Sequence, residues 1–242
     1  MNIPLNVREQ CSACPIRHRA VCARCDDEEL ALLEMIKSYR TFAAGEVISW
    51  RGDDLSHFSS VVSGIASLTH TMEDGRIQMV GLLLPSDFIG RPGRTSVEFD
   101  VTAVNDVTLC QFERAPFERV VEDIPHISQR MMEMALDELQ AAREWMVLLG
   151  RKTALEKIAT FLEMIVRRSS VDGHMAQEFT LPLTREEIAN FIGLTIETVS
   201  RQLSILKKRG VITTIDRRQF RVADLAALHA ATGDDAPMPT NI

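Results

Sequence analysis

LPLTREEIANFIGLTIETVSRQLSILKKRGVI, residues 181–212, decides the architecture of the C-terminal part of the chain. Thr184 and Glu187 form a T-x-x-E capping box that opens one helix. Ala189 is small where two helices must cross closely, and Gly193 makes the turn between them. Thr195 caps a second helix that runs to about Arg209 and stops at Gly210. Val199, Leu203 and Leu206 share its inner face, while Glu197, Ser200 and Arg201 stand on the opposite face at i, i+3 and i+4. Those three lie in the first two turns, the part of a recognition helix that enters a major groove. Arg201 can bridge guanine O6 and N7, Glu197 can accept from cytosine N4, and Ser200 can serve several base edges. Thr195 and Thr198 flank them at the helix start, and Lys207, Lys208, Arg217 and Arg218 are candidate phosphate contacts. A Glu–Arg pair one turn apart is more often a plain surface ion pair; the capped two-helix setting favours base reading. Thr213–Val222, turning near Asp216 and Arg217, fits a β-wing.

Upstream, Ala154–Arg168 reads as a helix with Leu155, Ile158, Ala159, Leu162 and Ile165 on its apolar face, followed by a polar loop, Ser169–Gln177. Charge is divided accordingly. Residues 151–228 hold 13 Lys and Arg against 9 Asp and Glu, whereas residues 1–150 hold 14 against 23. The cationic surplus therefore sits where a phosphate backbone would be met, although the whole chain carries −7.

Before Gly150 lies a long helical stretch, about Pro125–Leu149, with Pro125 suited to its first turn. Ser128, Met132, Ala135, Leu139, Ala142, Met146 and Leu149 recur at steps of four and three, the seam of a coiled-coil partner. The expected partner is a parallel second copy, only moderately stable because small and polar residues interrupt the seam. A second stripe, Ile124, Ile127, Met131 and Met134, is free to pack on the preceding domain. That domain, Tyr39 to about Phe112, consists of short runs rich in Val, Ile, Thr and Phe. Turn signals punctuate it at Gly45, Gly52, Gly64, Asp74-Gly75 and Gly93, so a small antiparallel barrel or roll is predicted. Asp26–Lys37 reads as a short helix before it.

Four of five cysteines crowd into the first 25 residues as Cys11-x2-Cys14-x7-Cys22-x2-Cys25, and Cys110 stands alone in the last predicted strand, Val107–Phe112. Residues 1–10 have no apolar signal core and no run approaches ~18 apolar residues, so a cytoplasmic location without structural disulfides is expected. The spacing fits a closed zinc site of four thiolates. It fits equally an iron–sulfur cluster held by three arm cysteines and Cys110, with one left over. By itself Cys110 also reads as a small buried hydrophobe. The six histidines are scattered without a partnered nucleophile, so no enzymatic activity is expected.

A cysteine-rich arm, a roll, a long helix and a reader containing GLTIETVSRQ together resemble the CRP–FNR superfamily of bacterial transcription regulators, over nearly the whole chain. The E-x-x-S-R trio at Glu197, Ser200 and Arg201 is similar to the FNR branch, which implies a TTGAT-type palindromic half-site. Cys11, Cys14 and Cys22 followed by Cys110 resemble the FnrL/FnrN anaerobic regulators of alphaproteobacteria. That likeness implies an oxygen-labile [4Fe-4S] cluster on those four, which supports the dimer, with Cys25 as the alternative ligand to Cys22. The x7 spacing departs from the x5 of the enteric-type member. Cyclic-nucleotide capture in CRP-type rolls uses Gly-Glu and Arg-Ser. Here Arg91 follows Gly90 and Phe99-Asp100 stands about where Arg-Ser would lie, so no cyclic nucleotide is expected.

The expected class is α+β: an arm (1–25), an antiparallel β-roll like cyclic-nucleotide-binding domains (26–122), a dimerisation helix (123–150), a winged helix-turn-helix (151–230) and an acidic, disordered tail (231–242). Expected partners are double-stranded DNA, a second copy and RNA polymerase, with no membrane. The rival reading is a zinc-stapled regulator whose roll senses a small molecule.

Overall fold

The computed structural model describes residues 10–168, 178–181, 183–216 and 219–234. The chain divides into two compact units, Met1–Gln140 and Ala141–Ile242.

In the first unit, a 3-10 turn at Cys11–Ala13 and successive tight turns coil the arm. Helix α1 (Asp27–Ile36) begins at a reciprocal cap: Asp26 accepts from the Glu29 N–H and Glu29 accepts from the Asp26 N–H, both at 2.9 Å. Eight strands follow: β1 (Lys37–Phe42), β2 (Val47–Ser49), β3 (His57–Ser63), β4 (Ala66–Thr71), β5 (Ile77–Leu83), β6 (Phe88–Ile89), β7 (Asp100–Ala103) and β8 (Val107–Glu113). They pair antiparallel into two four-stranded sheets, β1-β8-β3-β6 and β2-β7-β4-β5. Asp74-Gly75 turns the β4–β5 hairpin as its sequence predicts. Gly64 makes the β3–β4 turn at φ +84°, where an added Cβ would collide with the Asp106 carbonyl, so only glycine fits.

The two sheets enclose one core, with Phe42, Val61, Val107 and Leu109 meeting Ala66, Leu83, Val101 and Ala103. Side chains alternate along a strand, so Cys110 and Phe112 of β8 face away from that interior into a second core. The arm, α1 and helix α2 (Arg114–Asp123) cover that outer face of the sheet. The sequence reading did not anticipate α2. Its stripe, Phe117, Val120 and Val121, was the available signal, and Phe117 seats its ring 5.0 Å from Phe112 and 5.2 Å from Phe58.

Helix α3 (Pro125–Arg151) spans the boundary between the units. Ile124 and Ile127 are buried in the second core at its start, and Met131 and Met134 pack beside them, as the second stripe predicts. Ser128, exposed as the seam residues are, also donates its hydroxyl to the Val121 carbonyl of α2 at 2.6 Å.

The second unit comprises α4 (Ala154–Arg168), β9 (Glu178–Thr180), α5 (Arg185–Ile192), α6 (Ile196–Lys208), β10 (Ile212–Thr214), β11 (Gln219–Val222) and α7 (Leu225–Ala230). The wing is a three-stranded sheet, β10-β11-β9, to which β9 adds an unanticipated strand. Helix α7 was also unread. Residues 231–234 correct the expected tail, because Thr232 is fully buried and Asp234 pairs with Lys152 at 2.6 Å. Composition alone could not separate that folded stretch from residues 235–242, which lie outside the described residues. The polar loop at 169–177 and the phosphate candidates Arg217 and Arg218 also lie outside them.

Candidate metal centre and nucleic-acid interface

Three strands bring one row of side chains to the arm. Cys110 of β8 is paired with Tyr39 of β1 on one side and with Ser60 of β3 on the other. All three line a cavity of about 20 Å³ together with Cys11, Cys14, Cys22, Ile16, Ala20, Val21, Leu33 and Phe112. Cys25 is buried but is not among the lining residues. The fold thus gathers Cys11, Cys14, Cys22 and the distant Cys110 around one space, with Cys25 buried in the same core. Among the described residues, no three His, Cys, Asp or Glu side chains stand closely enough to hold a single metal ion as they are.

The electrostatics follow the same grouping. Burial raises the Cys110 thiol first, and the charges of Cys11, Cys14 and Cys22 raise it further. Burial, then Cys14 and Cys11, push Cys22 up to about 11. Burial raises the Tyr39 phenol too, followed by Cys110, Cys14, Cys11 and Cys22. Cys25 is raised to about 12 by burial, then by Cys22 and by Glu29 beside the α1 cap. Burial and neighbouring thiols hold Cys11, Cys22 and Cys110 in their neutral form, and a cationic centre in the apolar cavity would favour their thiolates. The Ser60 hydroxyl is buried there with no hydrogen-bond partner, an orphan that a bound acceptor would satisfy. The donor set therefore fits an iron–sulfur group.

The arm is also fastened to the start of α3. Arg24 pairs with Glu133 at 2.6 Å, and Arg130 donates to the Arg19 carbonyl at 2.7 Å. Arg17 donates to the Cys25 carbonyl at 2.9 Å, closing the arm on itself. Further along, every residue from 135 to 144 is exposed. The seam residues Met132, Leu139, Met146 and Leu149 are 63%, 45%, 73% and 38% exposed, and Ala135 and Ala142 are exposed with them. Leu136 and Val147, which the heptad count omitted, widen this apolar face.

The reader forms as its caps dictate. Thr184 and Glu187 cap α5 reciprocally, and Gly193 ends it in the left-handed region at φ +64°. Thr195 caps α6, accepting from the Thr198 N–H at 3.3 Å, and the two threonine hydroxyls lie 3.1 Å apart. Val199, Leu203 and Leu206 are buried, while Glu197, Ser200 and Arg201 are exposed side by side on the opposite face. Backbone and Thr195 hydrogen bonds hold the Glu197 carboxyl below the usual range. Lys207 and Lys208 are exposed in the last turn. Trp145 of α3 stacks on Phe191 of α5 at 4.2 Å, tying the helix end to the reader's core.

A β-roll followed by a long helix with an exposed apolar face and a capped, winged helix-turn-helix defines a DNA-binding regulator. Residues 156–231 match the Crp-like helix-turn-helix domain, and residues 39–123 match the cyclic nucleotide-binding domain. The transcriptional activator protein FnrL of Cereibacter sphaeroides is 57% identical over 95% of this chain and 94% of its own. The nitrogen fixation regulation protein FixK of Bradyrhizobium diazoefficiens is 40% identical over 85% of this chain and 86% of its own. The solved structure of FixK2 from Bradyrhizobium japonicum superposes with a TM-score of 0.76 at 30% identity, covering 83% of this chain and all of that one. The chain belongs to the CRP–FNR family of transcription regulators. Its biochemical role is DNA binding through the helix-turn-helix, not catalysis. Among the described residues no helix is long and apolar enough to cross a membrane.

Proposed function

We propose that the protein is a cytoplasmic, oxygen-responsive transcription activator. It binds a TTGAT-type palindrome as a homodimer, and recruits RNA polymerase, when Cys11, Cys14, Cys22 and Cys110 hold a [4Fe-4S] cluster. The observation that carries this reading is the cavity in which three arm thiols and one strand thiol converge, on an arm that grips the foot of α3. When bound, the cluster supplies a redox centre open to attack by dioxygen. The protein's own part is mechanical. Ligation across the arm and β8 fixes the arm, and its binding free energy becomes ordering free energy for that region. The ordered arm keeps Arg24 on Glu133 and Arg130 on the Arg19 carbonyl, which steadies the start of the helix whose exposed face meets a second copy. With the arm released, these supports go and the monomers part. A shift of a few kcal/mol in such an equilibrium changes occupancy of a palindrome strongly, because both half-sites must be read at once.

The roll is read as having lost cyclic-nucleotide capture. Asp100, near the phosphate position, is committed to the Arg51 N–H at 2.8 Å and the Thr71 hydroxyl at 3.3 Å, and its carboxylate opposes an anion. Anaerobic binding of a TTGAT palindrome by the parent and by Cys110→Ser tests the proposal. The parent is expected to bind and Cys110→Ser to lose at least tenfold in affinity. Equal binding by both would overturn it.

A further inference from the structure

Lys37, the first residue of β1, holds its ammonium against the arm thiol of Cys11, with a side chain only 6% exposed. Its Nζ lies 3.4 Å from Cys11 Sγ, 3.3 Å from Glu34 Oε1 and 5.5 Å from the centre of the Tyr39 ring. A buried ammonium needs strong acceptors. A neutral thiol is a weak one, whereas a thiolate accepts a short, charge-assisted hydrogen bond. The contact places a cationic donor on the sulfur of a residue that serves as a ligand only as its thiolate.

We propose that Lys37 is a positioning residue that, through its hydrogen bond to Cys11 Sγ, raises the reduction potential of the bound iron–sulfur group and slows its oxidation by dioxygen, with Glu34 as the opposing charge. This inference rests on the cluster reading above. Hydrogen bonds and positive charge at a ligand sulfur favour the more electron-rich state of an iron–sulfur centre. Electron loss to dioxygen, the oxidant, is disfavoured accordingly, and no atom moves to or from Lys37. The Glu34 carboxylate, on the preceding turn of α1 and 38% exposed, pulls the other way and is partly screened by water.

The two residues form one ion pair, so a clasp and a charge effect predict different signs. Parent, Lys37→Met, Lys37→Arg and Glu34→Gln proteins are purified anaerobically. Their reduction potentials are titrated, and the decay of visible absorbance is timed after addition of a fixed amount of oxygenated buffer. Lys37→Met is expected to lower the potential and shorten the half-life severalfold, Lys37→Arg to restore both largely, and Glu34→Gln to shift both in the opposite direction. If Lys37→Met and Glu34→Gln move together, the pair is a structural clasp and the inference is wrong; it is equally wrong if neither moves. Should Lys37→Met assemble no cluster, Glu34→Gln decides, since a lowered or unchanged potential there contradicts the charge role. A parent protein without an iron–sulfur chromophore overturns the cluster reading itself, and this inference with it.

Discussion

Two nearby cysteines of one core differ in what they border. Cys22 lines the cavity with Cys11, Cys14 and Cys110, whereas Cys25 is buried next to the α1 cap and is not among the lining residues. Cys11→Ser, Cys14→Ser, Cys22→Ser and Cys110→Ser should each abolish bound iron, while Cys25→Ser should keep it; iron and sulfide assays on anaerobic protein check this. Iron retained in Cys22→Ser and lost in Cys25→Ser would reverse the assignment. On α6, Arg201 and Lys208 are both exposed cations, one in the second turn and one in the last, and base reading and phosphate contact predict different outcomes for them. Arg201→Ala should cost about 1–3 kcal/mol per half-site and relax preference at the guanine. Lys208→Ala should weaken all sequences alike and flatten the salt slope by about one unit. Titrations on matched and single-base-changed palindromes at several salt concentrations separate the two. The shared exposed face of Glu197, Ser200 and Arg201 was legible from the sequence because caps and i, i+3, i+4 spacing are local. Lys37, Tyr39 and Ser60 were not, because only the register of β1, β8 and β3 brings them to the thiols.

At the scale of elements, α3 has two unlike faces. Ile124 and Ile127 are buried against the arm core, and residues 135–144 are all exposed. Substitutions on the exposed face should therefore spare the monomer fold. Leu139→Ala and Met146→Glu should weaken dimerisation while leaving the melting temperature of the monomer nearly unchanged, since each removes or charges a knob of the seam. Anaerobic sedimentation checks this, and two fully dimeric variants would place the interface elsewhere. The heptad count singled out residues that the structure leaves exposed, Met132, Ala135, Leu139, Ala142, Met146 and Leu149, and omitted the exposed Leu136 and Val147. Thr184→Ala should cost about 0.5–2 kcal/mol in the stability of the second unit, measured by denaturant unfolding, because it removes one arm of a reciprocal cap. Short elements were harder to read. Helix α2 and strand β9 depend on partners far along the chain, Phe58 and Phe112 for one and β11 for the other, which a local pattern does not contain.

For the whole molecule, the account joins a thiol-lined cavity at one end of the sequence to a base-reading helix at the other through the association of two copies. The charge division read from the sequence, acidic before residue 151 and cationic after it, agrees with the placement of the exposed reader in the second unit. What sequence spacing left open was the nature of the centre, because two C-x2-C pairs serve zinc and iron alike. In the fold Cys110 lines the same cavity as Cys11, Cys14 and Cys22, and Cys25 is not among its lining residues. The most direct test is the visible absorption spectrum of anaerobically purified protein, recorded before and after air is admitted. The account predicts a broad iron–sulfur absorption that bleaches in air. A colourless protein with one tightly bound zinc per chain, unchanged by air, would contradict it.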